Sequence, residues 1–322
     1  MKPRDQMIRF CARHGAPSLI GSLFLALSVR GQLPTYHLAR RIIAESSATA
    51  MLIIDSQNRR LYGVGNEIID VGSGEIVGQL PGNAGHQYAI APELGVGLTR
   101  HGAVFDLRTG KVLAFDSLSS GIAVVYDSKS QSAFVIGDTA VILAPRTGAI
   151  VGRVPLPAEP HFAVADGNSG RIFVDFGNDS ILVLDSKSAT PQNRWGISTC
   201  HIPEGLALDP IHNRLFVSCQ NRELEVLDSN NGQVLARLPI NGGTYGIGFD
   251  RGLMLLYNPN GDGTMTVIRE DARGQCSVAG QVQVAEGGSE VAVDDSTHAV
   301  YLLRKAASGD RARVLVFVPN VR

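Results

Sequence analysis

A short apolar run that ends in Asp, or in a turn residue at the same place, recurs along the whole chain. It constrains the fold more than any other feature of the sequence. The steps between these run ends are 35 to 44 residues, and a period near 40 residues is typical of propeller blades. The run ends are Asp55, Pro92, Asp127, Asp166, Asp209, Asp250 and Asp294.

Each repeat also carries the signature of four short strands. In the fifth repeat the run that ends at Asp209 is followed by NRLFVSC, ELEVLD and QVLARL, each bounded by turn residues. Four alternating, turn-bounded strands are what one blade requires.

The turn between the third and fourth strands has its own spacing. Asp70, Asp106 and Asp228 are each followed four residues later by Gly, which adopts positive φ without steric cost and closes a tight hairpin. The fourth repeat lacks this Gly, and we expect a longer turn there, through Ser186 to Asn193.

Three repeats place an Arg five residues after the Asp that ends the first strand. We predict a turn that is capped by the Asp and supported by an ion pair to the Arg. Exposed pairs of this kind contribute about 0–1 kcal/mol each, so we expect a structural role. The pairs are Asp55–Arg60, Asp166–Arg171 and Asp209–Arg214.

The seventh repeat is one strand short. After Asp294 only AVYLLRK and RVLVFVP remain, whereas the segment Tyr36–Glu45 precedes the first repeat and has no blade of its own. We therefore predict an all-β protein, a seven-bladed β-propeller closed by this N-terminal strand. Such a strand would cover an open sheet edge and join the two ends of the propeller.

The first residues have the order of a secretory signal. Basic residues precede an apolar run, Leu19–Val29, that is too short to span a bilayer comfortably, and Ala26 and Ser28 provide the small residues of a cleavage site. We expect residues 1–28 to be a signal peptide and 29–322 to be a single propeller domain that is periplasmic or secreted. Retention of the segment as a membrane anchor is the alternative.

The fifth repeat, IPEGLALDPIHNRLFVSCQNRELEVLDSNNGQVLARLPI, resembles a blade of the YVTN-repeat (YncE-like) propellers. In that family a blade runs Pro-x-Gly-[apolar]-Ala-[apolar]-Asp, then Arg-x-Tyr-Val, then Val-[apolar]-Asp-x-x-x-Gly-x-Val. The first and fourth repeats match more loosely, and the second, third and sixth weakly. The resemblance implies a seven-bladed propeller exported from a bacterial cytoplasm. It implies no particular chemistry, because related propellers include lactone hydrolases, streptogramin lyases and binding scaffolds.

The candidate site lies where the inner strands begin, since their first residues converge on the mouth of the central channel. The positions five residues before the run ends are Ala50, Gln87, Ile122, His161, Glu204, Tyr245 and Ser289. The predicted ligand-binding residues are His86, Gln87, His161, Glu204, Tyr245 and Glu290. The alternative is that these side chains only hydrogen bond channel water and neighbouring strand ends. A divalent metal held by His161 and Glu204 is a further alternative, and no other cofactor is evident.

The cysteines suggest one disulfide. Cys200 precedes the inner strand of the fifth repeat and Cys219 ends its second strand, so both lie on one face, and export would permit a bridge between them. Cys276 should be left over near the opposite face. Buried free thiols are the alternative.

The string Asn258–Gly263 resembles the start of a calcium loop. However, Arg269 stands where a calcium loop needs a bidentate Glu, so we expect a hairpin turn.

Charge and motifs narrow the function classes. A net charge of −1 argues against nucleic acid and against anionic membrane surfaces as partners. The sequence contains no G-x-S-x-G, H-E-x-x-H, P-loop or C-x-x-C motif. We predict a monomeric scaffold that binds a protein or small-molecule ligand and has no membrane span after signal cleavage. The alternative is a lactonase- or lyase-like hydrolytic enzyme that uses the channel mouth, with or without a metal.

Overall fold

The computed structural model describes residues 34–45, 49–81, 87–115, 117–118, 121–157, 160–176, 179–197, 199–243, 246–284, 288–304 and 311–320. These ranges contain 28 strands in seven four-stranded antiparallel sheets, and a short 3-10 helix over Pro92–Leu94. The predicted all-β, seven-bladed propeller is confirmed. The predicted signal peptide, residues 1–28, lies outside the described residues.

The blades follow each other along the chain, each with its inner strand first. Blades one to three contain β2 (Thr49–Asp55), β3 (Arg60–Val64), β4 (Glu67–Asp70) and β5 (Ile76–Gln79); β6 (Tyr88–Ala91), β7 (Val96–Thr99), β8 (Ala103–Asp106) and β9 (Val112–Phe115); and β10 (Ala123–Asp127), β11 (Ser132–Ile136), β12 (Thr139–Leu143) and β13 (Ile150–Pro155). Blades four to six contain β14 (Pro160–Asp166), β15 (Arg171–Phe176), β16 (Ser180–Asp185) and β17 (Pro191–Gly196); β18 (Pro203–Asp209), β19 (Arg214–Cys219), β20 (Glu223–Asp228) and β21 (Val234–Pro239); and β22 (Gly248–Asp250), β23 (Leu255–Pro259), β24 (Thr264–Glu270) and β25 (Cys276–Gln283). Blade seven contains β26 (Glu290–Asp294), β27 (Ala299–Arg304), β28 (Arg313–Pro319) and the N-terminal strand β1 (Tyr36–Ile43).

Inner strands of neighbouring blades contact each other around the axis, from β6 through β10, β14, β18, β22 and β26 to β2. Blades one and two are joined by the hydroxyl of Tyr88, which donates to the carbonyl of Met51 at 3.0 Å. Apolar clusters occupy the successive seams from blade one to blade six and the seam between blades seven and one. Much of the core therefore lies between blades. Within the described residues no helix is long and apolar enough to cross a membrane.

The N-terminal strand closes the ring as predicted. β1 pairs antiparallel with β28 from Tyr36 opposite Pro319 to Ile43 opposite Arg313, with an irregularity after Leu38. Ile42 is 4% exposed and packs into a cluster formed by blades one and seven. β1 therefore provides both backbone hydrogen bonds to β28 and part of the apolar packing between the first and last blades.

The turn after each inner strand has the same backbone conformation. The fourth residue after the end of the inner strand has positive φ, between 51° and 76°, in all seven blades. These residues are Arg59, Gly95, Gln131, Gly170, Asn213, Met254 and His298. The preceding Asp caps the turn with its side chain: Asp166 accepts from the backbone amide of Asn168 at 3.0 Å, and Asp209 accepts from that of Ile211 at 2.9 Å.

Of the predicted Asp–Arg ion pairs, Asp166–Arg171 is confirmed, with 3.9 Å between the guanidinium and the carboxylate. The prediction for Arg60 is wrong, because Arg60 pairs with Asp70 and not with Asp55.

Arg171 also reaches the neighbouring blade, where its Nη1 donates to the carbonyl of Ser229 at 2.6 Å, while its Nε donates to the hydroxyl of Ser169 in its own turn at 2.9 Å. The turn of Arg214 shows the same arrangement. Its Nε donates to the carbonyl of Gly274, in the sixth blade, at 2.9 Å. These arginines therefore link adjacent blades.

The expected longer turn in blade four is also wrong. Ala189 takes the place of the missing Gly with φ of 55°, and its amide donates to the carbonyl of Asp185 as the Gly amides do elsewhere. β17 therefore begins at Pro191, and the hairpin keeps the usual length. The string Asn258–Gly263 covers the end of β23 and the hairpin turn that leads to β24, as expected.

We predict that Ile42→Ala lowers the free energy of unfolding by about 2–5 kcal/mol, because it opens a cavity in the seam between blades one and seven. The matched control is Ile43→Ala, one residue away on the opposite face of β1, where Ile43 is 56% exposed. That change should cost less than about 1 kcal/mol. Urea unfolding of both variants measures the difference, and equal losses would show that β1 does not pack as described.

Candidate functional site

The central channel contains a cavity of about 810 Å³ to which all seven blades contribute. Its lining consists mainly of the last residues of inner strands and of the turns that follow them. The residues at the turn end are Ser56, Gln57, Glu93, Ser128, Gly167, Asn168, Pro210, Arg251 and Asp295. The cavity therefore opens at the mouth where the inner strands end, which we call the turn mouth.

The walls and the rim of this cavity differ in character. Further inside, the lining is apolar and includes Ile53, Val125 and Val164. At the rim, the acidic groups Glu93 and Asp295 outnumber the single arginine of the lining. Burial raises the pKa of Asp295 above its ordinary value. A partly apolar molecule with a hydrogen-bond donor or a positive charge would match this lining.

The predicted site residues lie at the opposite mouth, where the inner strands begin. Gln87 directly precedes β6, His161 and Glu204 are the second residues of β14 and β18, and Glu290 is the first of β26. His86 and Tyr245 lie outside the described residues. None of the four described residues lines the 810 Å³ cavity. Their role in binding stays a prediction, and so does the metal site of His161 and Glu204.

His161 is held by a buried carboxylate. Oδ1 of Asp175 accepts hydrogen bonds from the backbone amides of His161 and Phe162, at 2.7 and 2.6 Å. Oδ2 of Asp175 lies 3.6 Å from Nδ1 of His161. The carboxylate is fully buried, whereas the imidazole is 45% exposed. An exposed ring beside a buried carboxylate is an arrangement that can accept and return a proton.

Of the predicted carboxyl groups, Glu204 is buried and Glu290 is partly buried. Glu204 is only 6% exposed, and burial raises the pKa of Glu290 well above its ordinary value. Oε2 of Glu290 approaches the backbone of Gly246 so closely that a Cβ there would lie 2.6 Å away. Glu290 is therefore packed against the adjacent blade six.

Cys200 and Cys219 form a disulfide within blade five, with their Cα atoms 5.3 Å apart. Both residues are almost fully buried, at 1% and 0% exposure. The bridge links the loop before β18 to the end of β19. Cys276 is a free cysteine, and burial raises the pKa of its thiol to about 12.

A further group of polar side chains lies at the seam between blades five and six. It consists of Asp209, His212 and Glu270, each of which offers one potential ligand atom within 4.8 Å of the other two. Burial would raise the pKa of Asp209, but hydrogen bonds from the Ile211 amide and from His212 outweigh it and hold the pKa below the ordinary value. Burial and the nearby Asp209 raise the pKa of Glu270 to about 8.

The fold is similar to that of the Cps50 (Swd1) beta-propeller domain of Myceliophteria thermophila. The TM-score is 0.71 at 11% sequence identity, over 88% of this chain and 99% of that chain. At this identity the likeness shows the fold alone. No family model and no curated protein matches the chain.

Sequence reasoning missed the buried partner of His161 and the features that depend on contacts between blades. Asp175 stood out as an acid inside the apolar string RIFVDF, and that signal could have identified the partner of His161. The turn mouth could have been considered as a candidate binding site, because every inner strand ends there. No spacing within one repeat points to the contact between His212 and Glu270.

We predict that the double variant Cys200→Ala/Cys219→Ala is less stable than the parent by about 3 kcal/mol. The bridged residues are 19 apart, and closing a loop of this length restricts the unfolded chain by roughly that amount. Urea unfolding without reductant measures the change, and Cys276→Ala is the control that removes a thiol outside the bridge. Thiol titration of unfolded 29–322 should find one free thiol, and three would contradict the bridge.

Proposed function

We propose that this protein is an exported binding scaffold of the YVTN-repeat kind, which takes its ligand into the central channel through the turn mouth. The observation that carries the proposal is the 810 Å³ cavity lined by all seven blades. A cavity of this size is sufficient for a small molecule or for a side chain of a protein partner. The seven-bladed propeller is consistent with a binding or interaction role.

The chemistry of the lining supports a particular ligand class. An apolar wall that includes Ile53, Val125 and Val164 favours an apolar body, and Glu93 and Asp295 favour a cationic or hydrogen-bond-donating head group. Arg251 is on the same rim and pairs with Asp295 at 3.9 Å, so it offsets part of the negative potential. We infer a ligand with an apolar body and a positively charged or donor end.

Two observations support export. The sequence before the propeller has the order of a secretory signal, and the Cys200–Cys219 bridge belongs to an oxidising compartment. The YVTN-repeat resemblance of the fifth blade agrees with both. We infer a periplasmic or secreted location.

Benzylamine, benzyl alcohol and benzoate test the proposed ligand class, because they share a shape and differ in charge. Ligand-observed NMR with residues 29–322 should rank their binding in that order. Asp295→Asn should weaken benzylamine binding by about two- to fivefold, since exposed charge pairs contribute up to about 1 kcal/mol.

Ser128→Trp is designed to block the turn mouth, because Ser128 is exposed and lies on the rim of the cavity. It should abolish binding of all three probes. Val151→Trp, on the exposed outer strand of the same blade, is the control and should leave binding unchanged. Binding that persists in Ser128→Trp would place the ligand elsewhere, and absence of binding by every probe would refute the ligand class.

A hydrolytic enzyme is the second candidate, and the pairing of His161 with Asp175 favours it. His161 would take a proton from a water molecule that attacks a lactone carbonyl, and would return it to the departing alkoxide, so that water and lactone yield the hydroxy acid.

We predict that, if this candidate is correct, His161→Ala removes hydrolysis of a panel of γ- and δ-lactones. His201→Ala, an exposed histidine in the loop before β18, should retain it. Hydrolysis that is absent in the parent, or equal in both variants, would eliminate the enzyme candidate and leave the scaffold.

A further inference from the structure

The seam between blades five and six contains three side chains whose donor atoms converge. Nδ1 of His212 lies 2.5 Å from Oδ2 of Asp209 and 3.7 Å from Oε1 of Glu270. One donor atom from each residue lies within 4.8 Å of the other two. Asp209 and Glu270 are 2% and 3% exposed, whereas the ring of His212 is 25% exposed. The group is therefore buried on one side and reaches the surface through the imidazole.

Glu270 is buried without the hydrogen bonds that a carboxylate needs. Neither of its oxygens accepts a hydrogen bond from any donor in the part of the chain that the structure describes. A buried carboxylate in this situation requires a proton or a cation. Asp209 is already held by the amides of Ile211 and His212, at 2.9 and 3.2 Å. Its side chain is thus fixed beside Glu270 by the turn itself.

Arg214 lies at the same seam but does not satisfy Glu270. Its Nη1 donates to the carbonyl of His212 at 2.6 Å, and its Nε donates to the carbonyl of Gly274 at 2.9 Å. These bonds hold the turns of the two blades together. The arginine therefore positions the backbone around the group and donates no hydrogen bond to the carboxyl of Glu270, which lies beside His212 and the carboxyl of Asp209.

The propeller fold does not require a carboxylate at position 270. The backbone amide of Glu270 donates to the carbonyl of Met254, and the same bond occurs in four other blades. The residues that donate it there are Val71, Leu107, Ser186 and Ser229. An apolar residue or a serine is thus sufficient for the fold, and the buried acid in blade six needs another explanation.

Like the acid at position 270, the histidine at position 212 has no equivalent in the blades compared here. It is the third residue after the Asp that ends the inner strand. The corresponding residues of the other blades with this Asp are Asn58, Ser130, Ser169, Leu253 and Thr297. Two exceptional residues, one from each blade, therefore meet at a single point.

We propose that Asp209, His212 and Glu270 bind one divalent transition-metal ion, for which Zn²⁺ is the best match. One imidazole nitrogen and two carboxylate oxygens, with a fourth position left for water, is a donor set that Zn²⁺ uses in proteins. Ligand atoms on a tetrahedral Zn²⁺ lie about 3.3 Å apart. The 2.5 Å and 3.7 Å separations of the group would each change by less than about 1 Å. Because Glu270 belongs to blade six and the other two to blade five, the ion would clamp the two blades together.

Zinc titration of the metal-stripped protein, residues 29–322, tests the site. Calorimetry in a Cys276→Ser background, which excludes the thiol, should find one Zn²⁺ per chain. Glu270→Gln should weaken the affinity for Zn²⁺ by at least about 10–100-fold. That is the loss found when a residue that only orients a metal ligand is removed, and Glu270 is proposed to be a ligand itself. Zn²⁺ should also raise the melting temperature of the parent and not that of the variant.

Glu270→Ser is the second variant, because serine occupies the equivalent position in blades four and five and should preserve the fold. The matched control is His298→Gln. His298 forms a similar pair across the next seam, with Nδ1 2.9 Å from Oδ2 of Asp250, but lacks the third ligand. It should bind Zn²⁺ like the parent. The proposal is overturned if the stripped protein binds no Zn²⁺, or if both Glu270 variants bind it as tightly as the parent.

Discussion

The hydrogen-bonded ladder between β1 and β28 is the interaction on which the rest of the propeller depends. Each blade packs on its two neighbours, so the ring has no free face as long as the first and last blades meet. The ladder completes blade seven and places Ile42 in the seam that blade seven shares with blade one. The channel and its mouths are defined only when that seam is filled. A repeat architecture that buries its core between units loses it wherever one interface opens.

Much of this arrangement could be predicted from the sequence, because it depends on local patterns. The recurring apolar run that ends in Asp predicted seven inner strands, and the missing strand after Asp294 predicted the role of Tyr36–Glu45. The features that the sequence did not predict arise within one hairpin and between assembled blades. Ala189 adopts the left-handed conformation that was expected only of Gly, because the hairpin around it supplies the same hydrogen bond. Arg171 reaches the next blade, and spacing within one repeat contains no information about that distance.

The candidate sites also combine a part that local sequence patterns predict with a part that depends on the assembled structure. Convergence of the inner strands on the channel was predictable, but which mouth holds a cavity depends on the size and packing of side chains from all seven blades. His212 and Glu270 come from different repeats and meet only because two turns lie side by side in the assembled ring. Each looks unexceptional in its own repeat. Their importance appears when the equivalent positions of the other blades are compared in space, where small or apolar residues are the rule.

The capped turns have a consequence for how the channel would receive a ligand. Asp127 and Asp166 hold their turns through hydrogen bonds to the backbone amides of Ser130 and Asn168. The rim is therefore built from segments whose conformations are already fixed. A molecule that reaches it does not have to order a loop, and the loss of conformational entropy on association is confined to the ligand and a few rim side chains. Recognition at such a mouth is of the lock-and-key type, and selectivity then comes from shape and charge rather than from adaptation of the protein.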